Sequence, residues 1–145
     1  PLYYDPHDES TYADSLKDMR PDFDIAQMVT VNITDDIDAA LLGVKYFLSF
    51  YVGGMGAKDA NFHNDLFCRM GYAAEAEKIQ QLFFEGKRDE AARVIPDVLA
   101  DNLSLVGSKE RIKDRLQAWE ESKVTTLLVA TQDKENLAEM AELIL

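Results

Sequence analysis

The stretch "FLSFYVGGMGAKDANFHNDL", Phe47 to Leu66, gathers the side chains best suited to hold a planar or anionic molecule. It carries Tyr51, Met55 and Phe62, the glycines Gly53, Gly54 and Gly56, then Lys58 and His63, with Arg69 shortly after. Aromatic faces stack on planar rings, glycines let backbone approach a ligand closely, and cations pair with carboxylate or phosphate. The glycines and lysine do not form a P-loop, because the Gly-x4-Gly-Lys-Ser/Thr spacing and the strand-to-helix setting are both missing. The plainer reading is a helix end and tight turn, with the glycines supplying positive φ. Spacing alone favours that plainer reading.

Other candidates are weaker. His63 has no Cys, Asp or His at metal-ligand spacing, and Asp59 and Asp65 match no zinc or calcium loop, so no metal is expected. His7 lies in an irregular segment and reads as solvated. Cys68 has no CxxC or nucleophile motif around it and is expected to be a buried structural thiol. Trp119 shares a stripe with Leu116 and reads as core. The charged run Lys109–Arg115 reads as the solvated face of a helix. Gly107-Ser108 at a helix start is a mild anion signal, since first-turn N–H groups are free there. Asn32 and Thr34, at the end of an expected strand, are further pocket candidates.

These residues sit in a chain of 145 residues, enough for one domain with a real core. Its net charge of −12 opposes nucleic-acid binding, because no basic cluster is present to meet phosphates. A single cysteine excludes an internal disulfide framework and suits a reducing, cytoplasmic setting. The apolar runs are too short to span a membrane, and no signal peptide is visible. The chain opens on Pro1 and a proline-rich, tail-like composition, and is expected to be the C-terminal piece of a longer protein.

The elements that must position the candidates follow from periodicity. Residues 1–22 read as an irregular lead-in or linker, with a helical turn or two around Ala13–Met19. "FDIAQMVTVNIT" alternates Phe23, Ile25, Val29, Val31 and Ile33 against small and polar neighbours, a strand signal. Ile37, Leu41, Val44, Leu48 and Tyr51 then recur at helical spacing. Shorter helical pieces follow, with Gly71 and Gly86 as stops. Ser108 is the natural N-cap of a helix carrying Ile112, Leu116 and Trp119. "VTTLLVA" reads as a buried parallel strand, and "DKENLAEMAELIL" as a closing helix. The order implies an α/β layer.

Together, "FLSFYVGGMGAKDANFHNDLFCRMGY", "GKRDEAARVIPD", "LVGSKERIKDRLQAW" and "VTTLLVA" resemble the C-terminal part of luciferase-like flavin- or deazaflavin (F420)-dependent oxidoreductases. The similarity is closest to the F420-dependent subgroup and covers 23–145. Lys123 departs from the glycine usual at that helix-to-strand turn. The resemblance implies the C-terminal part of a TIM (β/α)8 barrel, helix-dominated. Phe23–Ile33 would be its seventh strand and Val124–Ala130 its eighth. The helices Ser108–Ser122 and Lys134–Leu145 would flank them, with 35–106 a helical insertion after the seventh strand. "LSLVG" is taken as a loop, because it is short and runs directly into a helix cap. The glycine stretch would then start from the C-terminal face of the barrel, where catalytic sites lie; were "LSLVG" a strand, the glycine stretch would sit at the opposite, stability face.

The implied function is part of an enzyme passing a hydride between coenzyme F420 and an unknown organic substrate. An FMN-dependent luciferase-like monooxygenase is the close variant, and a non-catalytic fragment or subunit that only packs on partners is the rival. Under the first reading Tyr51, Gly53, Gly54, Met55, Gly56 and Phe62 would border the cofactor. Lys58, Arg69 and Asn32 would contact the substrate or an anionic group. No catalytic acid or base is assigned. The missing N-terminal barrel half would be a partner, without which this chain would be inactive. Unpaired strand edges would favour homo-oligomers.

Overall fold

The computed structural model describes residues 1–57 and 59–144. The chain forms two compact units: Pro1–Ala40 with Asp101–Leu145, and Leu41–Ala100.

The first unit is built on a three-stranded parallel sheet of β1 (Ala26–Ile33), β2 (Ser104–Gly107) and β3 (Thr126–Ala130), in the order β2-β1-β3. β1 pairs through Thr30–Ile33 with β2 and through Ala26–Thr30 with β3. β3 is parallel as expected but not buried: among the described residues it lies at the sheet edge, and its residues are exposed or half-buried. The alternation of β1 holds from Ile25 to Asn32: Ile25, Val29 and Val31 are buried, while Ala26, Met28, Thr30 and Asn32 are half-buried on the other face. Phe23, expected to open the strand on its apolar side, instead lies before β1 and is exposed, and Ile33 is half-buried. The buried face packs on α7 (Lys109–Glu121) and α8 (Lys134–Ile144). Val29, Val31 and Leu105 meet Ile112, Leu116, Trp119 and Met140 in one apolar cluster. Each fully buried side chain of this size contributes about 1.5–3 kcal/mol.

"LSLVG" is therefore a strand and not a loop, which removes the ground for placing the glycine stretch at the C-terminal face of the barrel. Ser104–Gly107 pairs residue by residue with Thr30–Ile33, and all four residues are buried. A short, fully buried apolar run carries no alternation to announce it. With this third strand, the sheet order also differs from a run of consecutive βα units, which would place β2 between β1 and β3. The connection through α7 instead crosses β1.

The lead-in is tied to this unit. Tyr3 and Tyr4 are buried, and Tyr4 joins the apolar cluster with its ring 6.4 Å from that of Trp119. The Tyr4 hydroxyl donates to Glu9 Oε1 at 2.5 Å, and burial with this carboxylate raises its pKa. The Tyr12 hydroxyl donates to the Tyr3 carbonyl, and Gln27 Nε2 donates to the Leu2 carbonyl at 3.1 Å. Its helical content is a 3-10 turn, Glu9–Tyr12, and α1, Ala13–Leu16. Proline and acidic composition hides these tyrosine anchors.

At the helix-to-strand turn before β3, Lys123 needs no glycine-like backbone, since no non-glycine residue described has positive φ. Ser122 Oγ donates to the Trp119 carbonyl and accepts from Val124 N–H, while Lys123 N–H donates to Glu9 Oε1.

The second unit is helical. α2 (Ile37–Gly54) enters it from the first, followed by α3 (Phe62–Arg69), α4 (Ala73–Phe84) and α5 (Arg88–Val94). α6 (Asp97–Asn102) leads back. Leu48, Val52, Leu66, Phe67, Ile79, Leu82, Ile95 and Leu99 are buried. Gly86, at φ +78°, ends α4: its N–H donates to the Phe83 carbonyl and Lys87 N–H to that of Leu82, a Schellman close. No described helix is long and apolar enough to cross a membrane.

Gly53 and Gly54 are neither turn nor positive-φ positions; they are the last residues of α2. Their role is packing. A Cβ on Gly53 would lie 2.7 Å from Phe83 Cβ, and one on Gly54 would lie 2.4 Å from its ring. Gly43, on the same helix, has open space around it. Gly54→Ala is expected to cost about 1–3 kcal/mol through overpacking, whereas Gly43→Ala gains roughly 0.8–1 kcal/mol of helix propensity. Urea unfolding of the two variants checks this; equal shifts would remove Phe83 as the reason for the glycine pair.

Candidate functional site

In the second unit, the end of α2 and the start of α3 are joined by one buried side chain. Asn61 Oδ1 accepts from the N–H groups of His63 and Asn64 at 3.0 and 3.1 Å, capping α3. Its Nδ2 donates to the carbonyls of Val52 and Tyr51 at 2.9 and 3.2 Å, closing α2. Asn64 Nδ2 adds bonds to the Val52 and Ala76 carbonyls. Gly56 lies in the intervening turn, where a Cβ would come within 2.6 Å of the Ala60 carbonyl oxygen. Sequence reasoning missed Asn61; an Asn ahead of "FHNDL" is an N-cap signal that could have found it.

This junction lines up a row of rings. Phe83 lies 6.2 Å from Phe50, Phe50 5.5 Å from Tyr51, Tyr51 4.9 Å from His63, and His63 5.5 Å from Phe62, mostly edge to face. The Arg69 guanidinium sits 6.0 Å over the Phe62 ring. Phe50, Met55 and Phe62 are exposed, while Tyr51 and His63 are half-buried. Burial lowers the His63 pKa, so the ring is neutral at pH 7. The arrangement offers apolar ring edges, with a cation over the last ring.

The structure thus brings Tyr51, Phe62, His63 and Arg69 together, while Gly53 and Gly54 face Phe83. Lys58 lies outside the described residues. Cys68 is exposed, contrary to expectation: it sits one turn after Asn64, on the outer side of α3, while Leu66 and Phe67 take the buried positions. No group of three or more His, Cys, Asp or Glu among the described residues could hold a metal ion.

Asn32 belongs to the first unit. It lies half-buried on β1, in register with Val106, and Thr34 N–H donates to the Gly107 carbonyl at 3.0 Å. Gly107 has φ +121°, a conformation that favours glycine, and Ser108 Oγ then caps α7 by accepting from Arg111 N–H. The charged run of α7 is only partly solvated. Arg111 and Arg115 converge on Asp101 Oδ2 at 2.8 and 3.0 Å, and Lys109 pairs with Glu142 at 2.8 Å.

Comparisons with known proteins bear on these positions. A family model described as luciferase-like monooxygenase matches residues 8–126. A curated Mycobacterium tuberculosis protein, provisionally named a coenzyme F420-dependent oxidoreductase, is 37% identical over 153 aligned positions, which take in 99% of this chain. The chain spans 44% of that relative's length. Among solved structures, the coenzyme F420-dependent tetrahydromethanopterin reductase of Methanopyrus kandleri is similar, with a TM-score of 0.57 and 22% identity. That match covers 81% of this chain and 33% of the reductase, and supports a shared fold.

The His63 environment has a pH signature. Because its folded pKa lies below the ordinary value of about 6.5, the neutral ring contributes stability that is present above that value and is lost as pH falls below it. Between pH 7 and 5, wild type is expected to lose melting temperature relative to His63→Phe. A difference that stays constant across that range would contradict a desolvated His63.

Proposed function

Since the chain belongs to the luciferase-like monooxygenase family, we propose that it forms part of an oxidoreductase passing a hydride between coenzyme F420 and a small organic substrate. The observation that carries this reading is the 37% identity, across nearly the whole chain, to a relative named for that cofactor. The cofactor supplies the hydride chemistry; the protein supplies position and electrostatics.

The exposed Phe50, Met55 and Phe62 of the second unit offer apolar contact to a ligand, with the Arg69 guanidinium over the Phe62 ring. In this reading Tyr51, Met55 and Phe62 wall the deazaflavin. Gly53, Gly54 and Gly56 shape that wall by admitting Phe83 and the Asn61 junction. Arg69, with Lys58, meets an anionic group of cofactor or substrate, and Asn32 offers an amide at the C-terminal edge of the sheet.

Further strands complete the barrel in the same reading. They cover the half-buried face of Ala26, Met28, Thr30 and Asn32, and they protect β3, whose outer side pairs with no described strand. Where that cover is missing, the exposed edge favours self-association. The exposed thiol of Cys68 suits a reducing cytoplasm.

Fluorescence titration with F420 and with FMN tests the reading. F420 is expected to bind at least tenfold more tightly than FMN. Phe62→Ala and Arg69→Ala should each weaken it about tenfold, a loss of about 1.4 kcal/mol. Tighter binding of FMN would move the reading to a flavin monooxygenase. Binding of neither would favour a subunit that only packs on partners.

A further inference from the structure

Arg111 occupies a place that its sequence position, inside a charged run, does not announce. Its Nη1 donates to the Val106 carbonyl at 2.5 Å, and its Nη2 to Asp101 Oδ2 at 2.8 Å. The side chain lies directly over Gly107, where a Cβ would come within 2.6 Å of Arg111 Cδ. The two residues it grips hold the end of β1: Val106 is the register partner of Asn32, and the Gly107 carbonyl accepts from Thr34 N–H. Arg115 shares Asp101, through Oδ2 at 3.0 Å and through the carbonyl at 2.8 Å, and among the described residues no bond joins it to the strand end. Around them, Asn102 Nδ2 donates to Asp5 Oδ2 at 3.0 Å. Asp101 Oδ1 and Arg115 Nε are buried with no hydrogen-bond partner among the described residues.

We propose that Arg111, held by Asp101, is a positioning residue for the C-terminal edge of this sheet. It fixes Val106 and Gly107, and through them Asn32 and Thr34. β2 is only four residues long and ends in a positive-φ glycine, so ladder bonds alone give that end little rigidity. The guanidinium satisfies a strand carbonyl and a carboxylate at once, in the forked geometry that a lysine cannot reproduce. The proposal rests on the oxidoreductase reading, which assigns the Asn32 amide, at this edge, to ligand contact. Small misplacements at such an edge can cost up to about a hundredfold in activity.

The test compares Arg111→Met, Arg111→Lys and Arg115→Met in the protein as its gene encodes it. F420 affinity and melting temperature are measured side by side, well below unfolding. Arg111→Met is expected to weaken F420 binding about tenfold, with Arg111→Lys between it and wild type. Arg115→Met should lower the melting temperature while leaving affinity within about twofold, because it loses the same carboxylate without touching the strand end. An Arg111→Met protein that binds like wild type overturns the inference, as does an equal loss in Arg115→Met. If the unaltered protein fails to bind F420, the oxidoreductase reading falls and takes this inference with it. If the unaltered protein binds and Arg111→Met is indifferent, only the positioning role falls.

Discussion

The packing of Val29 and Val31 against Ile112, Leu116 and Trp119 holds the first unit together. Those two valines lie on the strand that, among the described residues, pairs on both sides, so they set the sheet's buried face. Shifting β1 by one residue would turn Met28, Thr30 and Asn32 into the core and expel the valines. The same packing fixes α7, and α7 carries Arg111 and Arg115 to Asp101. Tyr4 closes the cluster from the lead-in, so even the first residues of the chain depend on it.

The second unit has its own organising contact. Asn61 joins two helix ends with four hydrogen bonds from one buried amide, and a buried amide with all its bonds made is a strong constraint on geometry. The ring row then follows from helix spacing: Phe47 and Tyr51 are one turn apart, as are Phe50 and Gly54, and the absence of side chains at Gly53 and Gly54 brings Phe83 against Phe50. The functional reading uses Met55 and Phe62, which this packing leaves exposed, and the half-buried Tyr51.

Much of this was legible in the sequence, and what was not has physical causes. The β1 alternation, the α7 stripe with its Ser108 cap and the Gly86 stop can all be read from periodicity and capping. Residues 104–107 could not be told from a loop, because a fully buried strand of that length shows no alternation. The glycine pair reads first as a helix end with positive φ; the helix does end there, but without positive φ, and what the missing side chains admit is Phe83. Cys68 was misplaced because a small apolar residue beside Leu66 and Phe67 reads as core, while the turn of α3 directs it outward. The side chains bordering the ring row were readable by type. The Arg111 grip on Val106 was not, because it is set by tertiary packing of α7 on the sheet.

The central claim is that β1 lies between β2 and β3, both parallel to it. Backbone NMR contacts across the strands test it directly. The structure predicts contacts linking Ala26–Thr30 with Thr126–Ala130, alongside those linking Thr30–Ile33 with Ser104–Gly107. Contacts joining Ser104–Gly107 to Thr126–Ala130, with none between β1 and β3, would contradict it and place the strands in consecutive order.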